Sequence, residues 1–404
     1  MNLQDIYHDL MAFMSGLKVI STHSHHLKDE EFRDFTLTRL LNNSYVAWSG
    51  LNLEDTFESR KQYLESVKYK SYFVWLHKAL SELYSIQEPL TAGNWDFVSD
   101  KINKKHHDIN FHLSLLKNTC GYEKIILDTY WNPGSDNGHP EIFSPAYRIN
   151  QFLFGYERHT KDHNGNNPFD YFPKDVRDID EYMSYVRKII QLKKEQGCVA
   201  LKSALAYDRS LDFRETDKDK AQKAFGTGRH KVTEADIRHF GDYVFFEICR
   251  IAGEMDLPIQ CHTGSGIYRN TNALQLYDVI RENPRTTFVL FHGGYPWSED
   301  VCALVHYFPN IYPDLCWMPL LEASASIRLL DSLVEICLSD RICWGCDTWT
   351  SEESLGALLA VRFVLAKVLS QKVLDGYFSI QDARIIISNI LYNNPQKLYF
   401  NRSV

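Results

Sequence analysis

Four short pieces of this chain place His or Asp directly after a run of strand-forming residues. They are Val19-Ile20-Ser21-Thr22-His23-Ser24-His25, Leu257-Pro258-Ile259-Gln260-Cys261-His262, Thr287-Phe288-Val289-Leu290-Phe291-His292 and Arg341-Ile342-Cys343-Trp344-Gly345-Cys346-Asp347. Side chains at i and i+2 of a strand share a face, so His23 and His25 can grip one ion together. A third imidazole from His262 and the Asp347 carboxylate complete an N/O donor set. That set suits a divalent metal, zinc first, at about one ion per chain. Such an ion keeps a position for water, lowers its pKa towards neutrality and polarises a carbonyl. Asp347 is then both ligand and proton shuttle, from water to a leaving amine, and His292 supports the water or the developing oxyanion.

A lone His after an apolar run is more often a hydrogen-bonded core residue, so the argument rests on all four pieces in this order. Lys202 closes the apolar run Val199-Ala200-Leu201, and a buried ammonium needs a partner. It reads either as a rim ion pair or as a catalytic or substrate-binding amine. Arg209 and Arg269 follow strand ends and could fork onto a substrate carboxylate, with surface ion pairing the equal alternative. Tyr207, Tyr268, Trp297 and Trp317 are candidates for the pocket wall, although aromatics at 13% of the chain make core packing the default. His26 falls outside the i, i+2 alternation and reads as a supporting or surface residue. His106, His112, His139, His163 and His230 read as solvated or packing histidines.

The elements that must carry these residues alternate between strand and helix patterns, as in a parallel sheet with crossover helices. Strand candidates fall at residues 17–22, 124–130, 147–154, 198–204, 258–261, 286–291, 310–315 and 341–345. Between the first two lies a long, aromatic-rich, largely helical stretch, 28–116, too long for an ordinary loop. Thr233 stands three residues before Asp236 in a capping-box pattern, ahead of the apolar stripe Ile237, Phe240, Val244, Ile248 and Ile251. No repeat or linker divides the chain, so one domain over 1–404 is expected.

Bulk properties narrow the partners. Hydrophobic residues at 44% and charged residues at 24% are ordinary for a globular protein. A net charge of -8 gives no basic footprint for nucleic acid. No secretory signal or membrane span is read in the sequence, so a cytoplasmic protein acting on a small molecule is expected, with a homo-oligomer left open. The 9 cysteines are an odd number without framework spacing, as expected of reduced thiols. Cys343 and Cys346 match C-x-x-C, but i and i+3 of a strand face opposite ways.

Taken together, the motifs resemble the amidohydrolase superfamily of (β/α)8 metal-dependent hydrolases. Thr22-His23-Ser24-His25 is similar to its His-x-His after the first strand. His262 resembles its histidine after strand five, His292 the one after strand six, and Asp347 the aspartate after strand eight. The run from Phe291 to Trp297, with Asn310-Ile311-Tyr312-Pro313-Asp314, resembles the amidohydrolase-related branch, which includes the domain fused to glutamine-synthetase-like proteins. Residues 202–209 and 393–399 are similar to that branch as well. The resemblance covers roughly 17–27 and 197–400, while the helical stretch after strand one is similar to that of uronate isomerases.

The resemblance implies an α/β fold, a (β/α)8 TIM barrel with a helical insertion at about 28–116. It implies catalytic roles for Asp347, His292 and Lys202, and metal ligation by His23, His25, His262 and Asp347. Arg209, Arg269, Tyr207 and Trp297 are the expected substrate contacts. In some amidohydrolases a carbamylated lysine bridges two metals, which for Lys202 would mean two ions. The expected reaction is attack of metal-activated water on an amide-type C–N bond of a small carboxylate-bearing compound. The alternatives are sugar-acid isomerisation as in uronate isomerases, decarboxylation on the same ligands, and a barrel that only binds.

Overall fold

Seven apolar segments pair side by side, in chain order, into one parallel sheet in the computed structural model of the protein. The structure describes residues 2–172, 176–214, 216–225 and 232–401, and His230 lies outside them. The strands are β1 (Val19–Ser24), β2 (Tyr122–Leu127), β3 (Phe143–Arg148), β4 (Ala200–Ser203), β5 (Ile259–His262), β6 (Phe288–Phe291) and β7 (Ile311–Pro313). β1, β3, β4, β5 and β6 are buried at every residue. Helices cover the faces of such a sheet, which is why these strands read as continuous apolar runs rather than alternating ones.

The eighth expected strand does not form as one. Residues 341–345 make a single parallel bridge, Asp314 to Cys343. Their backbone nevertheless reaches both edges of the sheet. Cys343 N donates to Pro313 O at 3.0 Å, and Leu315 N to Cys343 O at 3.0 Å. On the other side Thr22 N donates to Trp344 O at 3.2 Å, and Asp347 N to His23 O at 3.0 Å. The approach to β1 is close: a Cβ at Gly345 would lie 2.7 Å from both His23 N and Thr22 Oγ1. Only glycine fits there, and the segment bends away from ladder geometry to make the passage.

Two other strands lie earlier than the sequence pattern suggested. β2 stops at Leu127, so Asp128 sits at its end rather than inside it. β3 occupies Phe143–Arg148, and residues 150–154 form a 3-10 turn instead. Pro145 argues against a strand on sequence grounds, yet its carbonyl accepts from Val199 N at 3.0 Å and the residue pairs with Leu127.

Helices fill the intervals. Glu234–Glu254 carries the Thr233–Asp236 capping box and buries the apolar stripe read from the sequence, with Ile237 half-buried. Between β1 and β2 run Phe57–Val67, Ser71–Tyr84 and Trp95–His106 with shorter turns. They enclose a separate apolar cluster that includes Phe32, Leu40, Tyr63, Trp95 and Ile102. Ser71–Tyr84 lies against Ser351–Leu374, where a Cβ at Gly356 would meet the Trp75 backbone at 3.1 Å. Among the described residues, no helix is long and apolar enough to cross a membrane, and the cysteines are free.

Candidate metal centre and active site

The strand register brings the candidate residues to one end of the sheet. His23 is the fifth residue of β1 and His25 lies just past its end. His262 ends β5 opposite Phe291, and His292 follows β6 directly. His292 has φ 64° and Asp347 φ 56°, a region costly for residues with a Cβ and most often kept where a side chain must be aimed.

His23 Nε2 and His25 Nε2 lie 3.4 and 3.3 Å from Asp347 Oδ1. Two donors each bound about 2.1 Å from a tetrahedral ion would themselves sit about 3.4 Å apart. Asp347 Oδ1 and His23 Nδ1 are buried without a hydrogen-bond partner, and buried polar atoms left so are costly. The His25 ring is fixed: its Nδ1 donates to the Asp128 carbonyl at 2.7 Å, which leaves Nε2 as the ligand atom. Trp349 stacks on that ring at 5.5 Å between centroids. The residues present therefore fit a divalent ion held by His23, His25 and Asp347.

His262 shares the cavity but is turned away from that donor set. Its Nε2 reaches the Ser265 carbonyl and its Nδ1 lies 2.9 Å from His292 Nε2. A carbonyl only accepts, so the proton is on His262 Nε2, and His292 Nε2 must donate to His262 Nδ1. His292 Nδ1 lies 3.4 Å from the Cys316 carbonyl and 3.8 Å from Asp347 Oδ2. His292, Cys316 and Asp347 form one group close enough to hold an ion, and His23, His25 and Asp128 another. Burial and the Lys202 charge hold His23 well below the usual histidine range. The same two causes push His262 down to about 3. Burial, His262 and Lys202 hold His292 well below that range, and burial lowers His25 against the pull of Asp347 and Asp128. All four shifts favour the neutral ring, which metal ligation and proton acceptance both require.

Lys202 is 1% exposed, and its Nζ has no hydrogen-bond partner. The nitrogen lies 4.1 Å above the Phe291 ring. Burial lowers its pKa while Asp128 and Asp347 oppose the shift. Among the described residues Lys202 forms no ion pair, so the first reading of this lysine is set aside in favour of an amine facing the cavity.

Three residues that the sequence reading missed complete the centre. Tyr45 OH donates to Asp347 Oδ2 at 2.8 Å. Arg148 forks onto the buried Asp128 carboxylate through Nε and Nη2, and its Nη1 donates to Asn164 Oδ1. Asp128 and Arg148 do carry the strand-end signature of the other site residues, hidden by the misplaced ends of β2 and β3. Tyr45 carries no such signal.

These groups line a cavity of about 240 Å³ that includes His23, His25, Arg148, Lys202, His262, His292 and Asp347. A second lobe of about 460 Å³ shares Tyr45, Trp48, Tyr207, His262, His292 and Asp347 with it. Tyr207, Tyr268 and Trp317 line these lobes. Arg209 does not: its guanidinium pairs with Asp242 Oδ1 at 2.6 Å, because that buried carboxylate lies within its reach. Arg269 is exposed on the turn after β5 and lines neither lobe. Trp297, at 36% exposed, packs on Tyr268 outside both.

A family model described as Amidohydrolase matches residues 206–400. Protein fluG of Emericella nidulans is 26% identical over 223 residues, 51% of this chain and 26% of fluG. A uronate isomerase of Thermotoga maritima is 22% identical over 261 residues, 57% of this chain and 55% of the isomerase. The sequence matches thus span about a quarter to a half of these relatives' lengths. The solved structure of a T. maritima uronate isomerase superposes with TM-score 0.78 at 16% identity, covering 98% of this chain and 97% of that one. A Lactobacillus casei protein, provisionally named a metal-dependent hydrolase, superposes with TM-score 0.71 at 18% identity, covering 97% of each chain. Both superpositions are likenesses of fold.

Proposed function

We propose that the chain is a member of the amidohydrolase superfamily, whose family model matches residues 206–400, and that it is a metal-dependent hydrolase cleaving an amide-type C–N bond of a small carboxylate-bearing substrate. The observation that carries this reading is the Asp347 carboxylate, with one oxygen facing His23 and His25 and the other held by Tyr45. When bound there, a divalent ion, zinc by its donor set, would acidify a water and polarise the substrate carbonyl. Asp347 takes the proton released by the attacking water and returns it to the departing nitrogen. His292, backed by the hydrogen bond to His262, presents a neutral nitrogen beside Asp347 that holds the water in line or steadies charge on the carbonyl oxygen.

Lys202, whose Nζ has no hydrogen-bond partner among the described residues, supplies the uncompensated positive charge at the inner end of the cavity and binds the substrate carboxylate in place of Arg209 and Arg269, while Arg148 is held by Asp128 and Asn164. We read the closure of the sheet through residues 343–347 as the eighth strand position of a (β/α)8 barrel, and 28–116 as an insertion at its carboxyl face. One ion with an unmodified Lys202 amine is the preferred stoichiometry, and two ions bridged by a carbamylated Lys202 the alternative.

A second reading, isomerisation of a sugar acid, is favoured by the likeness to the uronate isomerase and by the helices between β1 and β2. One set of measurements separates the two. Metal-loaded protein is assayed against N-acyl amino acids and uronic acids, with Asp347→Asn and His292→Ala in parallel. The hydrolase reading expects turnover of N-acyl compounds. It also expects Asp347→Asn to lose about 100-fold or more in kcat, and His292→Ala to lose rate while keeping most of its metal. Turnover of uronates alone would refute it.

A further inference from the structure

The two lobes of the site differ in chemistry, and the difference describes the substrate. The inner lobe ends in Arg148 and Lys202. The outer, larger lobe is walled by Tyr45, Trp48, Tyr72, Tyr268, Tyr295 and Trp317. The hydroxyls of three of these rings are already committed within the protein. Tyr45 OH donates to Asp347, Tyr268 OH to Ser265 Oγ at 3.4 Å, and Tyr295 OH to Glu322 Oε2 at 3.0 Å. Trp317 Nε1 is buried without a hydrogen-bond partner among the described residues, and apart from it the wall offers mostly ring faces and edges. Among the described residues that line it there is no Asn, Gln, Arg or Lys, and Asp347 is the only carboxylate.

A polyhydroxylated group placed there would leave several hydroxyls desolvated without partners, which is costly. A planar aromatic group would lose no hydrogen bonds and would gain stacked and edge-on contacts. The rings are arranged for that. Tyr72 stacks between Tyr45, at 5.1 Å, and Trp317, at 6.4 Å between centroids, and Trp317 stands edge-on to Tyr295 at 6.5 Å. Trp317 is buried at 7% exposure and forms a floor, while Trp48 and Tyr268, at 60% and 57%, stand at the mouth. The lobes meet at His262, His292 and Asp347, where the proposed bond cleavage occurs.

We infer that the substrate is an N-aroyl amino acid or a close analogue. Its carboxylate is held at Lys202, beside the Arg148–Asp128 pair, its amide lies at Asp347 and His292, and its aromatic ring fills the outer lobe. The inference rests on the hydrolase reading for the identity of the bond but not for the place of the ring.

The test uses metal-loaded full-length protein with three probes: N-benzoylglycine, N-acetylglycine and glucuronate. Binding is measured by calorimetry and hydrolysis by release of glycine. N-benzoylglycine should bind about tenfold or more tightly than N-acetylglycine. Trp48→Ala and Tyr268→Ala, at exposed positions that spare the core, should each narrow that ratio. Circular dichroism checks that both variants are folded. Tighter binding of the benzoyl compound without hydrolysis would refute the hydrolase reading and leave the aromatic lobe standing. Equal binding of both conjugates, no binding of either, a ratio unmoved in both variants, or preference for glucuronate would each overturn the inference.

Discussion

Arg148→Met exposes the most testable energetic feature of the site. Asp128 is 0% exposed and Arg148 5%, and the guanidinium meets the carboxylate through two nitrogens. Removing one partner of a buried pair costs about 3–5 kcal/mol, because the other charge is left without compensation. Burial by itself raises the Asp128 pKa, but Arg148 and then His25 outweigh it and hold the carboxyl below its usual range. In the parent protein this group adds stability above the unfolded carboxyl pKa, and that stability is lost as pH falls through the lower folded value. In Arg148→Met the two Arg148 causes are gone, only His25 and Lys202 still oppose burial, and the folded pKa is expected to rise above the unfolded one. Stability is then greatest below about pH 4, the unfolded value, and falls as pH rises through the folded value. The two proteins should therefore show opposite stability slopes in moderately acidic solution. Urea denaturation midpoints at a series of pH values measure this. Asp128→Asn combined with Arg148→Met should recover most of the loss, since no lone charge remains. A single variant that loses less than about 1 kcal/mol, or a double variant whose losses simply add, would refute the buried-pair account.

The remaining predictions concern ligands, positioning and pH. His23→Ala with His25→Ala should abolish metal retention, read by elemental analysis, and stoichiometric metal in that variant would remove both residues from the centre. Tyr45→Phe keeps the ring contacts but removes the donor to Asp347 Oδ2, so kcat should fall by about tenfold with metal content unchanged. An unchanged kcat would deny Tyr45 a positioning role. Arg209→Gln should lower stability and leave KM within about twofold, because its partner is Asp242 rather than substrate; a KM rise of tenfold would restore it to the site. Burial raises Glu353 to about 8, so it contributes stability that is full below the unfolded value and is lost as pH rises towards about 8. Glu353→Gln should flatten that slope, which is at most about 1.4 kcal/mol per pH unit, and an equal slope in both proteins would show that Glu353 does not titrate there.

What the sequence made legible was the strand-end grammar: an apolar run, then a ligand. It located His23, His25, His292 and Asp347 because β1, β6 and the segment before Asp347 are continuous apolar stretches buried on both sides. It missed Asp128 and Arg148 because the expected strand 147–154 put Arg148 near its start rather than at the end of β3, and because a three-residue error at the end of β2 placed Asp128 inside a strand. The seven-stranded sheet matched the expected alternation, while the segment before Asp347 gave up its ladder to squeeze Gly345 past β1. Arg209 was left open between substrate and ion pair for a general reason: nothing local to an arginine reveals a buried carboxylate 33 residues away on a helix. For His26 and His112 the sequence left burial open, and the structure takes the packing side of both readings. Their rings are buried together, 2.9 Å apart between nitrogens and stacked with Phe32, an arrangement only the tertiary fold creates.

The helical layer between β1 and β2 is joined to the reacting end of the sheet through charge as well as packing. Glu352 and Glu353 occupy the first turn of Ser351–Leu374, directly after Asp347 and Trp349, and both are buried. Two adjacent buried carboxylic acids are expensive. The helix N-terminus offsets part of the cost for the ionised form, and the layer supplies most of the rest. Glu352 takes hydrogen bonds from Tyr84 OH at 2.7 Å and His106 Nε2 at 2.6 Å, and Glu353 takes one from Tyr45 N at 2.7 Å. Tyr45 is thereby held twice, by its backbone to Glu353 and by its hydroxyl to Asp347. The layer that walls the outer lobe is thus bonded to the helix that begins where the proposed proton shuttle ends. A shift of the layer cannot alter the substrate wall without also moving the donor on Asp347. Changes that retune what the outer lobe accepts are therefore expected to change kcat along with KM.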